Sequence, residues 1–437
     1  MKKLYTVAAI GLMLSLSFYT SAQGYYVKQI ITGNSGKFEF TPPFEDYVIL
    51  QNYDPVTQSG LLFGTIFTQS IQDILIAEPF AYISAQDSIV KYNLNSLERV
   101  SAVADSGINK LSICHGRLVI SKQYPVTKCF ATVRDTSDLS LVSNIEGITG
   151  DAAGMVTTND TLYVAVNEGW MGSDGKLAVI DPNTWTLVRQ IELGNDAVGI
   201  YNLYLYNGQL ISVNKTPYGV TDQGSLTVYD PITGNVQNYL YGVTVGNGCG
   251  LNDSLLYFLI NNGIGSVDLN TMLIADSSII NDPGSSLFTY ITSAAFDTIN
   301  DRFYVNIGNY ITPGICLVAS ATGDSITSYA TGISTEAVAI DYREMMTGFE
   351  GQIPSISNTV TLYPNPATDH LNIQFREFHE AKSLLITDLY GKILVYRTCD
   401  VQDNTSVRLD IGMLPSGMYF LVVENTKEKT VGRFIKL

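Results

Sequence analysis

The sequence is short of the residues from which most enzyme centres are built. Its three histidines, His115, His370 and His379, are scattered over 437 residues, too few and too far apart for a histidine-based metal site. Five cysteines, Cys114, Cys129, Cys249, Cys316 and Cys399, contain no CxxC pair, and an odd count at wide spacing is not a disulfide framework. One bridge, Cys114 to Cys129, remains open if the two lie on neighbouring strands; buried thiols acting as small hydrophobes are the simpler reading. There is no Gly-x-Ser-x-Gly elbow, no phosphate loop and no His-Glu-x-x-His, so no catalytic residue is assigned. No apolar run reaches the ~20 residues of a membrane helix. The nearest, Leu4 to Leu16, follows Lys2 and Lys3 and precedes Thr20 and Ala22, small residues at −3 and −1 of a cut before Gln23. Residues 1–22 therefore read as a signal peptide, and the mature chain is expected to carry no transmembrane segment. No cysteine follows the cut, which argues against a lipid anchor.

Positive charge is also scarce. Charged residues make up 15% of the chain, and the formal net charge of −16 becomes −18 once Lys2 and Lys3 are removed. Residues 358–437 hold nine basic and nine acidic residues, so the whole excess sits on residues 23–357. Such a body repels phosphate backbones and excludes nucleic acid as a partner class, while leaving cations and neutral ligands open.

What is present is strand material: 46% hydrophobic residues, 27 tyrosines and only two tryptophans, with scattered glycine. One pattern recurs along the body. In its clearest copy "AAGMVTTND" leads to "TLYVAVNEG" and then "GKLAVIDPNTWTLVRQIEL"; the next copy reads "AVGIYNLYLYNG", "QLISVNK", "GSLTVYDPITGNVQNYL". Turns at the end of the third strand fall at Asp54, Asn93, Asp135, Asp181, Asp230, Asp268 and Ser320, at spacings that suit four strands per unit. Apolar and polar residues alternate in "KLAVIDP", which predicts sheets packed on both faces against their neighbours. The first copy lacks its innermost strand, and "EAVAIDYR" (336–343) looks like an innermost strand with nothing after it. A last strand that completes the first sheet leaves no open edge. The expectation is an all-β chain: a seven-bladed β-propeller over 23–343 closed by a C-terminal strand, a linker at 344–358, and a small Ig-like β-sandwich over 359–437. The body resembles the YVTN-type propellers of Bacteroidetes exported proteins.

The last eighty residues carry an ordered set of motifs: Tyr363-Pro364-Asn365-Pro366-Ala367, then Asp388 and Gly391, then Leu414, Gly417 and Tyr419, and a basic-apolar end at Lys436-Leu437. This set resembles the type A sorting domain of the type IX secretion system. The resemblance implies that the secretion machinery is a partner and that the chain reaches the outer-membrane surface or the extracellular space.

In a propeller, the loops between the second and third strands share one face with the connections between blades. The longer loops here each carry an aromatic, Phe40, Tyr124, Trp170, Tyr218 or Tyr310, and those of blades two and six are tight. Loops on a rigid scaffold are the usual place for binding residues, and aromatics supply flat contact area. A rim packed down on itself is the plainer alternative. Entries to the innermost strands add a polar ring at the channel mouth: Asp73, Asn109, Lys110, Asp151, Asp196, Asn247 and Glu336. Its acids can bind a cation such as Ca²⁺, or simply cap strand starts. Asp87-Ser88-Ile89, Asp160-Thr161-Leu162, Asp253-Ser254-Leu255, Asp297-Thr298-Ile299 and Asp324-Ser325-Ile326 resemble O-glycosylation sites of Bacteroidetes exported proteins, although turns between first and second or third and fourth strands explain them as well. The expected function is surface binding of a small molecule, glycan or protein; some exported propellers of this general kind capture cobalamin. The rivals are a lyase- or lactonase-like enzyme with a divalent metal held by three or more of Asp73, Asp151, Asp196 and Glu336, and a flat adhesive module.

Overall fold

The computed structural model describes residues 25–37, 39, 41, 46–169, 174–284, 289–344, 360–375, 381–387, 393–401, 406–424 and 429–437. The chain divides into two compact units, Gly24–Met345 and a second that contains Met346–Leu437.

The first unit is built from the repeated turn outwards. At every third-strand end the predicted side chain accepts backbone N–H groups: Asp54 Oδ1 from Val56 at 2.8 Å, Asn93 from Asn95 at 2.8 Å, and Asp135 from Ser137 at 2.8 Å. The pattern continues with Asp181 and Asn183 at 2.9 Å, Asp230 and Ile232 at 2.8 Å, Asp268 and Asn270 at 3.0 Å, and Ser320 with Asp324 at 3.1 Å. A short polar side chain satisfies amides that a tight turn leaves exposed, which is why Asp, Asn or Ser recurs there.

Among the described residues, these turns punctuate seven four-stranded antiparallel sheets, numbered here by chain order. Sheets 2 to 7 each use four consecutive strands, spanning 73–104, 108–145, 152–194, 200–240, 245–280 and 290–333. Sheet 1 consists of Tyr25–Asn34, Val48–Asp54 and Ser59–Ile66, and its inner edge is Thr335–Glu344, paired antiparallel with Tyr25–Asn34 so that Ile30 faces Ile340. Each first strand touches the first strand of the next sheet, and Thr335–Glu344 touches both Tyr290–Asp297 and Asp73–Ala77. The first strands therefore close a ring, and the body is a β-propeller.

Strand alternation fills the spaces between sheets. Leu177 and Val179 pack toward sheet 5, while Ala178 and Ile180 pack toward sheet 3. Ile30 and Ile31 divide in the same way between the sheet 7 and sheet 2 sides. Seven separate apolar clusters result, one at each junction between neighbouring sheets. Each buried Val, Leu or Ile contributes ~1.5–3 kcal/mol, so each interface is a core of its own.

The second unit packs a three-stranded sheet (Val360–Tyr363, His370–Phe375, Ser406–Asp410) with a four-stranded one (Ala381–Thr387, Ile393–Val401, Gly417–Glu424, Lys429–Lys436). Leu371, Ile373, Phe375, Leu384, Ile386 and Phe434 are buried in one core. The first and last sequence motifs meet here. Asn365 Nδ2 donates to the Arg433 carbonyl at 2.9 Å and its Oδ1 accepts from Ile435 N–H at 2.9 Å. Ala367, fully buried, exchanges backbone hydrogen bonds with Ile435 and Leu437 at 2.8 Å. Tyr419 Oη donates to the Pro415 carbonyl at 2.7 Å, tying down the turn that Leu414 anchors and Gly417 leaves. Asp388 and Gly391 lie outside the described residues.

Among the described residues no helix is long and apolar enough to cross a membrane. Cys114, Cys129, Cys249 and Cys316 are all free, which removes the Cys114–Cys129 bridge. Cys114 is buried, and Cys129 donates instead to Glu146 Oε1 at 3.1 Å.

Candidate ligand-binding face

The antiparallel pairing of first and second strands runs on into the loops beyond them. Gln123 N–H donates to the Gly107 carbonyl at 2.7 Å, Asn167 to Asp151 at 2.9 Å, Lys215 to Gly199 at 2.9 Å and Asn261 to Thr244 at 2.9 Å. Four loops after a second strand are thereby stitched to the connection entering their own sheet, so these loops and connections share one face, as the repeat pattern predicts. The loops of sheets 2 and 6 are the two-residue turns Gln86-Asp87 and Asn261-Asn262, the latter pair both at positive φ as a type I′ hairpin requires.

Between sheets 3 and 5 this face opens into a cavity of about 490 Å³. Its walls are Gln123 from the sheet 3 loop, Asp151 at the entry to sheet 4, and Asn167 and Gly169 from the sheet 4 loop. Val198 and Gly199 of the entry to sheet 5, Tyr201 on its first strand, and Lys215 to Tyr218 on its loop complete it. Gly199 sits at φ 76°, and any side chain there would run into the Lys215 carbonyl oxygen, so glycine is what lets this loop lie down.

Lys215 is half-buried, with its Nζ 4.2 Å from the centre of the Tyr201 ring. Loss of hydration, together with the charge of Lys110, lowers its pKa to about 8. Lys110, 5.5 Å from the same ring, is itself neutralised: its Nζ donates to the Gln72 carbonyl at 2.9 Å and to Asp73 at 3.2 Å. Tyr201 Oη donates to Asn109 Oδ1 at 3.3 Å, and Asn109 Nδ2 donates to the Ala152 carbonyl at 2.8 Å. Burial raises the pKa of Asp151, an effect that the Tyr124 backbone N–H partly offsets.

The predicted aromatics divide by place. Tyr124 and Tyr218 are 81% and 89% exposed, and Tyr218 lines the cavity. Tyr310 is half-exposed and leans on Tyr290, their ring centres 5.5 Å apart. Phe40 and Trp170 lie outside the described residues.

Asp73 is taken up by Lys110 and by the Leu111 N–H at 2.9 Å. Glu336 accepts from the Ser35 and Ser334 hydroxyls at 2.5 and 3.0 Å, and burial raises its pKa. Asp196 lies exposed on the 3-10 turn Asn195–Ala197, its backbone carbonyl accepting from Ser225. Asn247 stands half-buried with its Oδ1 unpartnered among the described residues. Among the described residues no three His, Cys, Asp or Glu are grouped to hold a metal, so the Ca²⁺ expectation has no set of ligands here. Neither acid caps the start of a strand: Glu336 is held by hydroxyls, and Asp73 accepts from an amide within the strand Ile108–Cys114. Of the modification triplets, Asp87-Ser88 sits in a second-to-third-strand turn instead of the kind expected, and the other four lie where expected.

Sequence reasoning missed Lys215, Tyr201, Gln123 and Asn167. A signal was available: aligning "YVAVNEG" with "LISVNKT" puts Glu168 and Lys215 at the same loop position.

Residues 361–437 match the family described as "Secretion system C-terminal sorting domain". None of the curated proteins matches the chain. Solved structures similar to it include PorZ, a surface component of the type IX secretion system of Porphyromonas gingivalis, at 13% identity and TM-score 0.44, covering 94% of this chain and 58% of that one. Kuenenia stuttgartiensis hydrazine synthase is similar at 12% identity and TM-score 0.46, covering 66% of this chain and 90% of that one. The RRP9 WD40 repeats are similar at 11% identity and TM-score 0.48, covering 61% and 83%. At this level the likenesses add nothing to the ring of sheets itself. The sorting domain does carry a conclusion: the chain is a β-propeller protein exported by the type IX secretion system to the outer-membrane surface or the extracellular space.

Proposed function

We propose that this chain is an exported binding protein that captures a small molecule or glycan in the cavity between sheets 3 and 5. In this reading the seven sheets are the blades of a YVTN-type propeller over 23–343, residues 1–22 are a signal peptide, 344–358 a linker, and 359–437 the sorting domain. The observation that carries it is the cavity itself. It lies on the loop face, its volume falls within the usual range of ligand sites, ~300–1,000 Å³, and it holds Tyr218, Asp151 and Lys215 together. A flat adhesive module has no use for such a recess. The metal-dependent enzyme loses its support with the dispersal of the acids.

The test is a thermal-shift screen of the purified chain against glycans, cobalamins, small organic acids and divalent ions. A ligand at 100 times its dissociation constant stabilises by about 2.7 kcal/mol. The expected result is a hit from the organic classes that Tyr218→Ala weakens. Hits indifferent to both Tyr124→Ala and Tyr218→Ala would remove the cavity from the account.

A further inference from the structure

We infer that the cavity selects an anionic ligand, a carboxylate carried on a ring, with Lys215 supplying the counter-charge; this rests on the binding reading above. Charge accounting across the body is the argument. Most other cations drawn into the propeller are met by oxygen, the exception among the described residues being Arg302, whose buried Nε has no hydrogen-bond partner. Lys122 and Arg134 share Asp105, Lys176 meets Glu168, Arg343 meets Asp341 and Glu78, and Lys91 donates to two backbone carbonyls. Lys215 Nζ has no carboxylate and no hydrogen-bond acceptor among the described residues, only the face of the Tyr201 ring. In a body this acidic, a cation so placed is not short of carboxylates by composition; the fold withholds them.

The neighbours point the same way. Lys110, across the Tyr201 ring, adds positive potential even though Asp73 holds it. A half-desolvated ammonium is costly until matched, and a bound carboxylate matches it with a charge-assisted hydrogen bond. Asp151, on the same wall, offers a hydrogen-bonding partner for hydroxyl groups on the ligand, and burial shifts its pKa upward. Tyr218, 89% exposed on the cavity wall, places an aromatic ring where a ringed ligand would lie.

Two sources share this chemistry, a sugar acid and an aromatic acid, and paired probes separate them: glucuronate against methyl glucoside, and benzoate against benzamide, titrated calorimetrically into the purified chain. At least one acid is expected to bind about tenfold or more tighter than its neutral partner. Lys215→Met should erase that gap and Lys215→Arg preserve it, with thermal unfolding confirming that both variants fold. Lys110 acts on the Lys215 charge, Tyr201 lies under its Nζ, and Asp151 and Tyr218 line the same cavity; deprotonation of Lys215 near pH 8 sets the upper limit. Acid affinity should hold steady below that pH and fall about tenfold per unit above it. Absence of preference in both pairs, or a preference that survives Lys215→Met, overturns the assignment. A neutral ligand dependent on Tyr218 would also overturn it while leaving the cavity as a binding site. Loss of every Tyr218-dependent ligand would instead remove the reading beneath it.

Discussion

Where Thr335–Glu344 closes the ring, buried charge is answered on every side. Arg343 grips Asp341 through Nε at 2.6 Å and Nη2 at 2.9 Å, and reaches Glu78 at 2.9 Å and Asn95 at 3.2 Å through Nη1. Gln29 donates to both Asp341 and the Leu94 carbonyl at 2.9 Å, and Asn52 donates to Gln29 at 3.0 Å. Between sheets 3 and 5, on the same scaffold, Lys215 faces a ring and an empty volume. One sector uses polar groups to hold the first strand of the chain to the last strand of the body. The other keeps a polar group unspent. Stability and recognition make opposite demands on a buried charge, and in the proposed reading the propeller separates them around its circumference.

Mutation should make the two sectors respond with opposite signs. The largest effect belongs to the seam. Arg343→Ala leaves Asp341, which is 0% exposed, as an uncompensated buried charge, and unfolding in urea should show a loss of about 3–5 kcal/mol. A loss below about 1 kcal/mol would mean that the seam does not hold the ring.

Lys215→Met should go the other way. The folded pKa of Lys215 lies below its unfolded value of 10.5, so the folded state disfavours its charge. That penalty is fully present below pH 8 and fades as pH rises to about 10.5. The substitution should therefore raise stability at pH 7 by an amount on the order of 1–3 kcal/mol, with the gain vanishing by about pH 11. Destabilisation at pH 7 would place Lys215 among the structural cations.

The smallest effect is expected at a repeated turn. Hydrogen bonds from Asn183 and Thr184 lower the pKa of Asp181, so its contribution is present above the unfolded carboxylate pKa and lost as pH falls through the folded one. Asp181→Ala should lower the melting temperature slightly at pH 7 and not at all at pH 2, whereas Asp181→Asn keeps most of the turn. An equal loss at both values would assign the effect to something other than the carboxylate.

Much of this architecture was legible because it is local. A side chain two residues before an amide reports a turn wherever it recurs, and all seven predicted positions accept such hydrogen bonds. "EAVAIDYR" was readable as a closing strand because its alternation had no partner downstream. The loop face, with Tyr124 and Tyr218 on it, followed from the order of strands. The state of the charges did not, because it depends on pairings between residues far apart in sequence. Nothing near Asp73 in the chain announces Lys110, and nothing near Lys215 announces that no carboxylate comes to meet it. The acids at the strand entries looked equivalent as a list and are spent individually in the fold.

The most direct test of the unspent charge needs no ligand. Reductive methylation of the lysines with a ¹³C label gives each a separate NMR signal, and titration reads each amine. The account predicts one signal, absent from Lys215→Met, that titrates near pH 8, well below the other lysines. A Lys215 signal that titrates together with the exposed lysines would show a hydrated or paired ammonium, and would contradict the cavity as described.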